Sequence, residues 1–372
     1  MKKKVLLFAC VEKNIGDDLF IETTCMRYPH IQFVITDAAN YGSLAKIDNL
    51  NFSSAVRRWM VLSEKTALGG LKAVIARISC KLLELRLGKF DDAVYIVGNA
   101  LKNTNYAGWK DSQWLSDRIR LAERFYLLST NFGPCNDDSW LKDVRLRLAE
   151  ATDVCFRDKA SYALFSDLGN VRYAPDAVLT RRRRSNQQTD KEHKLVVVSV
   201  IDCAFAARDE WLRNLSDDYE EALVRVVRGF VADGYHVVLL NSNAEQDRPA
   251  SVRICEAAHC SNVEIIDYAG DLRVVDRLYK EASAVVATRL HPIILSWLYS
   301  VPVFPIAYDQ KVVNLLECYG TCSNYLNIRD VKTLQYDDLK GVLMEGGFSP
   351  RQEVFSESLK QYEALDRRLA RE

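Results

Sequence analysis

The sequence predicts an α/β protein made of two parallel-sheet halves. Three observations carry that prediction. Short β-branched runs alternate with longer amphipathic segments, the runs are predominantly apolar, and one polar, arginine-rich interruption divides them into two sets. Strands buried on both faces read as unbroken apolar runs, and parallel neighbours need helical crossovers between them. At 372 residues the chain exceeds what one hydrophobic core usually supports, so length points the same way.

The predicted strands of the first set are Val5–Ala9, Phe33–Ile35, Ala93–Val97, Tyr126–Ser129, Val154–Phe156 and Val171–Tyr173. Those of the second are Leu195–Val200, His236–Leu240, Glu264–Ile266, Ala284–Ala287 and Val301–Phe304, with helical patterns such as Tyr219–Ala232 and Asp271–Ala282 between them. The interruption, "TRRRRSNQQTDKEHK" from Thr180 to Lys194, has no apolar residue and reads as a solvated linker. The expected organisation is an N-terminal domain over 1–180, a linker over 181–194 and a second domain over 195–345. A C-terminal segment, 346–372, contains a helix from Gln352 to Arg371 that packs back. Ligands are expected in the cleft between the halves.

Composition excludes several classes. Lys+Arg and Asp+Glu both number 50, so no global field draws the chain to nucleic acid or to a membrane. Ten cysteines without paired spacing suit a reducing compartment. Neither Cys255-His259-Cys260 nor Cys318 with Cys322 has structural-zinc spacing, and no metal is expected. "MKKKVLLFACVEKN" reads as a first strand rather than a signal, and no apolar run nears the roughly eighteen residues of a membrane span. The expected location is cytoplasmic. One local exception is segment 53–89, where Arg57, Arg58, Lys65, Lys72, Arg77, Lys81, Arg86 and Lys89 face only Glu64 and Glu84. With Trp59, Leu71, Ile75, Ile78 and Leu82 at near-helical spacing, it is either two helices packed on the sheet with a basic face, or a peripheral contact to the inner membrane surface. Gly69-Gly70 would be the turn between them.

The chemistry-bearing stretch is "ATRLHPIIL", Ala287–Leu295. Arg289 and His291 leave the carboxyl end of a predicted strand, the edge of an open α/β sheet where ligands bind. Pro292 suits the first position of a helix and restricts His291 to an extended conformation, which sets Arg289 and His291 on one side and Leu290 on the other. Arginine, histidine and a helix N-terminus describe an anion site. The alternatives are an arginine paired with a buried acid and a histidine bonded to backbone. In "VPVFPIAYDQKV", Tyr308 and Lys311 follow the next strand, and Lys311 joins the same site if the two strands are neighbours. Three loops in the first half carry glycine at strand ends. They are "KNIGDDLF" with Asn14, Gly16, Asp17 and Asp18, "YIVGNALKN" with Gly98 and Asn99, and "STNFGP" with Asn131. Asp17 or Asp18 is expected to cap the helix that follows, to meet a sugar hydroxyl, or to act as a base.

In this order the motifs resemble the polysaccharide pyruvyltransferase family. The resemblance runs through "NIGDDLF", "YIVGNAL", "STNFGP", "VCFRDKASYALFSDLG", "APDAVL" and "TRLHPIILSWLYSVPVFPIAYDQK". It implies two Rossmann-like domains similar to GT-B glycosyltransferases, and transfer of the enolpyruvyl unit of phosphoenolpyruvate to a sugar as a pyruvate ketal. Arg289, Leu290 and His291 fall on the element associated with holding phosphoenolpyruvate, with Tyr308 and Lys311 beside it. In that role His291, made imidazolium beside a bound phosphate, would be the acid, with Arg289 and Lys311 holding the charge. The acceptor would be a lipid-linked or nucleotide-linked sugar of a surface polysaccharide such as capsule or exopolysaccharide. Where the resemblance implies an arginine just after Val200, this chain has Ile201-Asp202-Cys203, and the nearest arginine is Arg208. Two other functions share the features: a glycosyltransferase using a nucleotide sugar, and a non-catalytic membrane-associated scaffold using segment 53–89.

Overall fold

A computed structural model of the chain describes residues 3–35, 41–53, 78, 90–99, 101–102, 113–135, 137–181, 194–206, 208–321 and 324–369. The basic segment 53–89, apart from Ser53 and Ile78, and the linker between Arg181 and Lys194 lie outside the described residues. The chain forms two compact units. One comprises residues 1–11, 17–180 and 355–372, and the other residues 12–16 and 181–354.

In the first unit the strands are β1 (Lys4–Phe8), β2 (Gln32–Ile35), β3 (Leu50–Phe52), β4 (Phe90–Ile96), β5 (Ala122–Thr130), β6 (Asp153–Phe156) and β7 (Val171–Tyr173). They form a parallel sheet in the order β3-β2-β1-β4-β5-β6-β7. Val5, Leu6, Leu7, Val94, Leu127 and Val154 are fully buried, as the unbroken apolar runs require of a sheet covered on both faces. The end of the chain joins this unit through buried Gln361. Its Oε1 accepts from Ser129 N, and its Nε2 donates to Phe156 O and Ala174 O. Arg27 and Tyr28 donate to Asp366 in the same segment.

The second unit carries β8 (Leu195–Ser199), β9 (His236–Asn241), β10 (Val263–Asp267), β11 (Ala284–Ala287), β12 (Val303–Ala307) and β13 (Leu326–Asn327). Their order is β10-β9-β8-β11-β12-β13, again parallel. In each sheet the order reverses beside the first strand, between β1 and β4 and between β8 and β11. Ligand crevices of open α/β sheets lie outside the carboxyl ends at such switch points. The chain leaves β8 through Ile201–Cys203 and β11 through Thr288–Arg289 into the helix that carries His291, so the switch point selects the same edge as the motif.

The structure differs from the sequence reading at four places. β3 and β13 were not anticipated; they are edge strands of three and two residues, too short to show a period. The C-terminal helix is not continuous but runs as Glu353–Ser358, a 3₁₀ turn over Leu359–Tyr362, and Glu363–Leu369. Residues 346–354 stay with the second unit, so the returning segment starts at Phe355. The loop Glu12–Gly16 also belongs to the second unit, although β1 before it belongs to the first. Among the described residues no helix is long and apolar enough to cross a membrane.

Candidate functional site

Two clusters of predicted residues form, one in each unit. In the second unit the helix after β11 spans Leu290–Tyr299, with Arg289 extended at its cap (φ −82°, ψ 145°). The helix therefore starts two residues before Pro292, and His291 lies in its first turn, not in extended chain. Pro292 is tolerated there because first-turn N–H groups have no intrahelical acceptor in any case. Leu290 is buried, as expected, while Arg289 and His291 are partly exposed.

What holds this junction is a set of long-range bonds. Tyr219, fully buried, shares a hydrogen bond with Thr288 Oγ1 (2.8 Å) and accepts one from Ile201 N (3.2 Å). One phenol thereby ties together the two loops at the switch point. Arg289 is clamped by Asp247, donating from Nε at 3.1 Å and also from Nη2, which reaches Gln246 Oε1 at 3.3 Å. Asp247 is fully buried and also accepts from Asn243 N, while Asn243 caps the helix Ala244–Ala258 through Gln246 N. Burial works against the charge on Arg289, but Asp247, then Tyr308 and Asp309, outweigh it and hold the guanidinium above its usual pKa. The arginine of the motif is thus oriented by a carboxylate. Asp247→Asn, which removes the charge but keeps one acceptor, is expected to cost about 1–3 kcal/mol of stability. Thermal denaturation checks it.

β12 does pair with β11, which places Tyr308 and Lys311 at the neighbouring strand end. Lys311 Nζ donates to Tyr308 Oη at 3.1 Å and pairs with Asp309 at 2.8 Å. Burial disfavours the ammonium, yet Asp309 and Tyr308 more than compensate and raise its pKa.

The loop before the first helix, Ile15–Arg27, completes this cluster. Asn14 immediately precedes that helix, and its Oδ1 accepts from Gly16 N at 2.9 Å, so Asn14 supplies the cap expected of Asp17 or Asp18. Those aspartates stand in the first turn, and Asp18 accepts from Tyr41. Ile15 N donates to Ser242 O, which fixes the loop to the carboxyl end of β9. A Cβ at Gly16 would overlap His291 Nδ1. Glycine is needed here for close approach to the imidazole.

In the first unit the remaining candidates converge on Arg157, a residue the sequence reading quoted but gave no role. Arg157 Nη2 donates to Gly98 O (2.7 Å) and Asn131 Oδ1 (2.8 Å), and Nη1 donates to Asp176 (2.9 Å). A Cβ on Gly98 would lie 2.8 Å from Nη1, so this glycine too makes room for a side chain. Asn99 accepts from Asn131 Nδ2. The only signals for Arg157 and Asp176 were their places in "RDKAS" and "APDAVL". For Asp247 there was none.

Among the described residues no group of three or more His, Cys, Asp or Glu is placed to hold a metal ion. A small apolar hollow against the helix Leu272–Glu281, lined by Leu240, Ile266, Tyr268 and Val275, shares no residue with either cluster.

Solved structures resemble the chain in fold. TarM aligns over 100% of this chain and 99% of its own at a TM-score of 0.55 and 9% identity. The Neisseria meningitidis UDP-GlcNAc 2-epimerase bound to UDP-GlcNAc aligns over 98% and 100% at 0.53 and 10%. The chain spans 53% of the matched chain in the Streptococcus pneumoniae accessory secretory protein 1, 2 and 3 structure, at a TM-score of 0.42, 14% identity and 79% of this chain. The two Rossmann-like units are those of the GT-B fold. No curated protein matches in sequence. Residues 14–310, which include every residue of both clusters except Lys311, match the family model described as polysaccharide pyruvyl transferase. With well over half of its length matched, the chain belongs to the polysaccharide pyruvyl transferase family.

Proposed function

We propose that the protein transfers the enolpyruvyl unit of phosphoenolpyruvate to two hydroxyls of a sugar, forming a pyruvate ketal and releasing phosphate. The observation that carries this reading is His291, Arg289 and Lys311 at the carboxyl ends of neighbouring strands in a chain of the polysaccharide pyruvyl transferase family. Arg289 and Lys311 are firmly cationic and suit a phosphate and a carboxylate. His291, as imidazolium, donates its proton to the methylene carbon, and the enol π electrons form the new C–H bond. A sugar hydroxyl then attacks the adjacent carbon and loses its proton. Phosphate departs with the C–O electron pair, and the second hydroxyl attacks the same carbon and gives up its proton to the departing phosphate, which closes the ketal. The acceptor is a lipid-linked or nucleotide-linked sugar of a surface polysaccharide.

The test combines purified protein, phosphoenolpyruvate and a panel of lipid-linked and nucleotide-linked sugars, with products weighed by mass spectrometry. A product heavier by one pyruvate ketal, with one phosphate released per transfer, is expected. Hydrolysis of a nucleotide sugar with glycosyl transfer and no ketal would overturn the proposal. Gly16→Ala is expected to displace the imidazole and slow transfer roughly a hundred-fold, the scale for a misplacement near 1 Å. Its effect should fall on kcat, with the melting temperature close to that of wild type.

A further inference from the structure

Arg208 has two nitrogens, Nε and Nη2, that are shielded from solvent and have no hydrogen-bond partner among the described residues. Desolvated guanidinium N–H groups without an acceptor are unfavourable, so a side chain held this way is organised for a guest. Its surroundings define the guest. The Arg208 guanidinium lies 5.3 Å from the ring centre of Tyr308, and Lys311 Nζ lies 5.3 Å from the same ring. Tyr308 also acts electrostatically on Arg289. Arg208 and Lys311 therefore flank one phenol at the carboxyl end of β12, and the same phenol acts on Arg289. Asp247 occupies Arg289, and Asp309 pairs with Lys311, which leaves Arg208 with the unmet donors.

The backbone explains how Arg208 reaches the site. β8 ends at Ser199, and the chain turns twice, with Phe205 N donating to Asp202 O and Arg208 N donating to Phe205 O. The turn returns the guanidinium towards the residues just after β8, where it counteracts the burial that raises the Cys203 thiol to about 12.

We infer that Arg208 is an anion-binding residue of this site and holds the phosphate or carboxylate of the donor through Nε and Nη2. The assignment to phosphoenolpyruvate rests on the proposed transfer reaction; the assignment to an anion does not. Arg208→Met and Arg208→Lys test it, with inorganic phosphate and phosphoenolpyruvate titrated separately by calorimetry and transfer followed by ketal formation. Arg208→Met is expected to weaken binding of both anions roughly 10- to 100-fold, the scale of a lost charge-assisted hydrogen bond, with Lys restoring part of it. It should raise KM for phosphoenolpyruvate more than it lowers kcat. Its melting temperature should match or exceed that of wild type, because no described side-chain hydrogen bond of Arg208 is lost. Wild-type affinity of Arg208→Met for both anions, or a lowered melting temperature with unchanged affinity, would overturn the inference. Weakened phosphate binding in a protein that makes no ketal would retain the anion site and reject the transfer reaction instead.

Discussion

His291→Asn is expected to slow pyruvyl transfer by roughly a hundred- to ten-thousand-fold, the range for loss of a positioned general acid. Asparagine cannot donate a proton to carbon, so the defect lies in kcat. Phosphoenolpyruvate binding should stay within a few-fold, because the proposed anion ligands are Arg208, Arg289 and Lys311. The fold should be unaffected, since His291 is partly exposed and the helix Leu290–Tyr299 is anchored by buried Leu290, Ile293, Ile294 and Leu295. Single-turnover kinetics with a measured donor affinity separates the two quantities. A variant that transfers at the wild-type rate would remove His291 from the reaction.

Arg157→Ala is expected to destabilise the first unit by about 3–5 kcal/mol, the cost of breaking a buried ion pair by removing one partner. Arg157 and Asp176 have side chains 6% and 0% exposed, and the guanidinium also satisfies Gly98 O and Asn131 Oδ1. Truncation therefore takes the ion-pair partner from a buried carboxylate and leaves one acceptor on each of two glycine loops without that donor. At roughly 2–4 °C per kcal/mol for a unit of this size, the melting temperature should fall by about 10 °C. Arg367→Ala is the control: that arginine is 72% exposed, its partner Glu363 stands 3.9 Å away, and exposed pairs contribute at most about 1 kcal/mol. Equal melting temperatures for the two variants would show that Arg157 is not an organiser of the first unit.

Much of the fold was legible because sheet burial leaves a local signature. Runs such as "VVVSV", apolar but for Ser199, and "AVVA", apolar throughout, are what a central parallel strand needs, and both became strands. The polar interruption fell where the units divide, since few apolar contacts can form there. β3 and β13 were hidden because edge strands of two or three residues carry no period. The helix start at Leu290 rather than Pro292 was misread because proline shows only where a helix can begin, while capping and burial decide where it does.

The sequence by itself determined which residues stand at the carboxyl edges: Arg289 and His291 after β11, Tyr308 and Lys311 after β12, and the glycines after β1 and β4. Strand-end position follows from hydrophobic pattern over a few residues, which is a local quantity. Only the tertiary structure decided their partners. Asp247 reaches Arg289 from 42 residues away, Gly16 meets His291 from the start of the chain, and Arg208 returns to the ring of Tyr308. Ion pairs and close backbone approaches depend on sheet order, and sheet order is set by the packing of the whole unit rather than by any window of sequence.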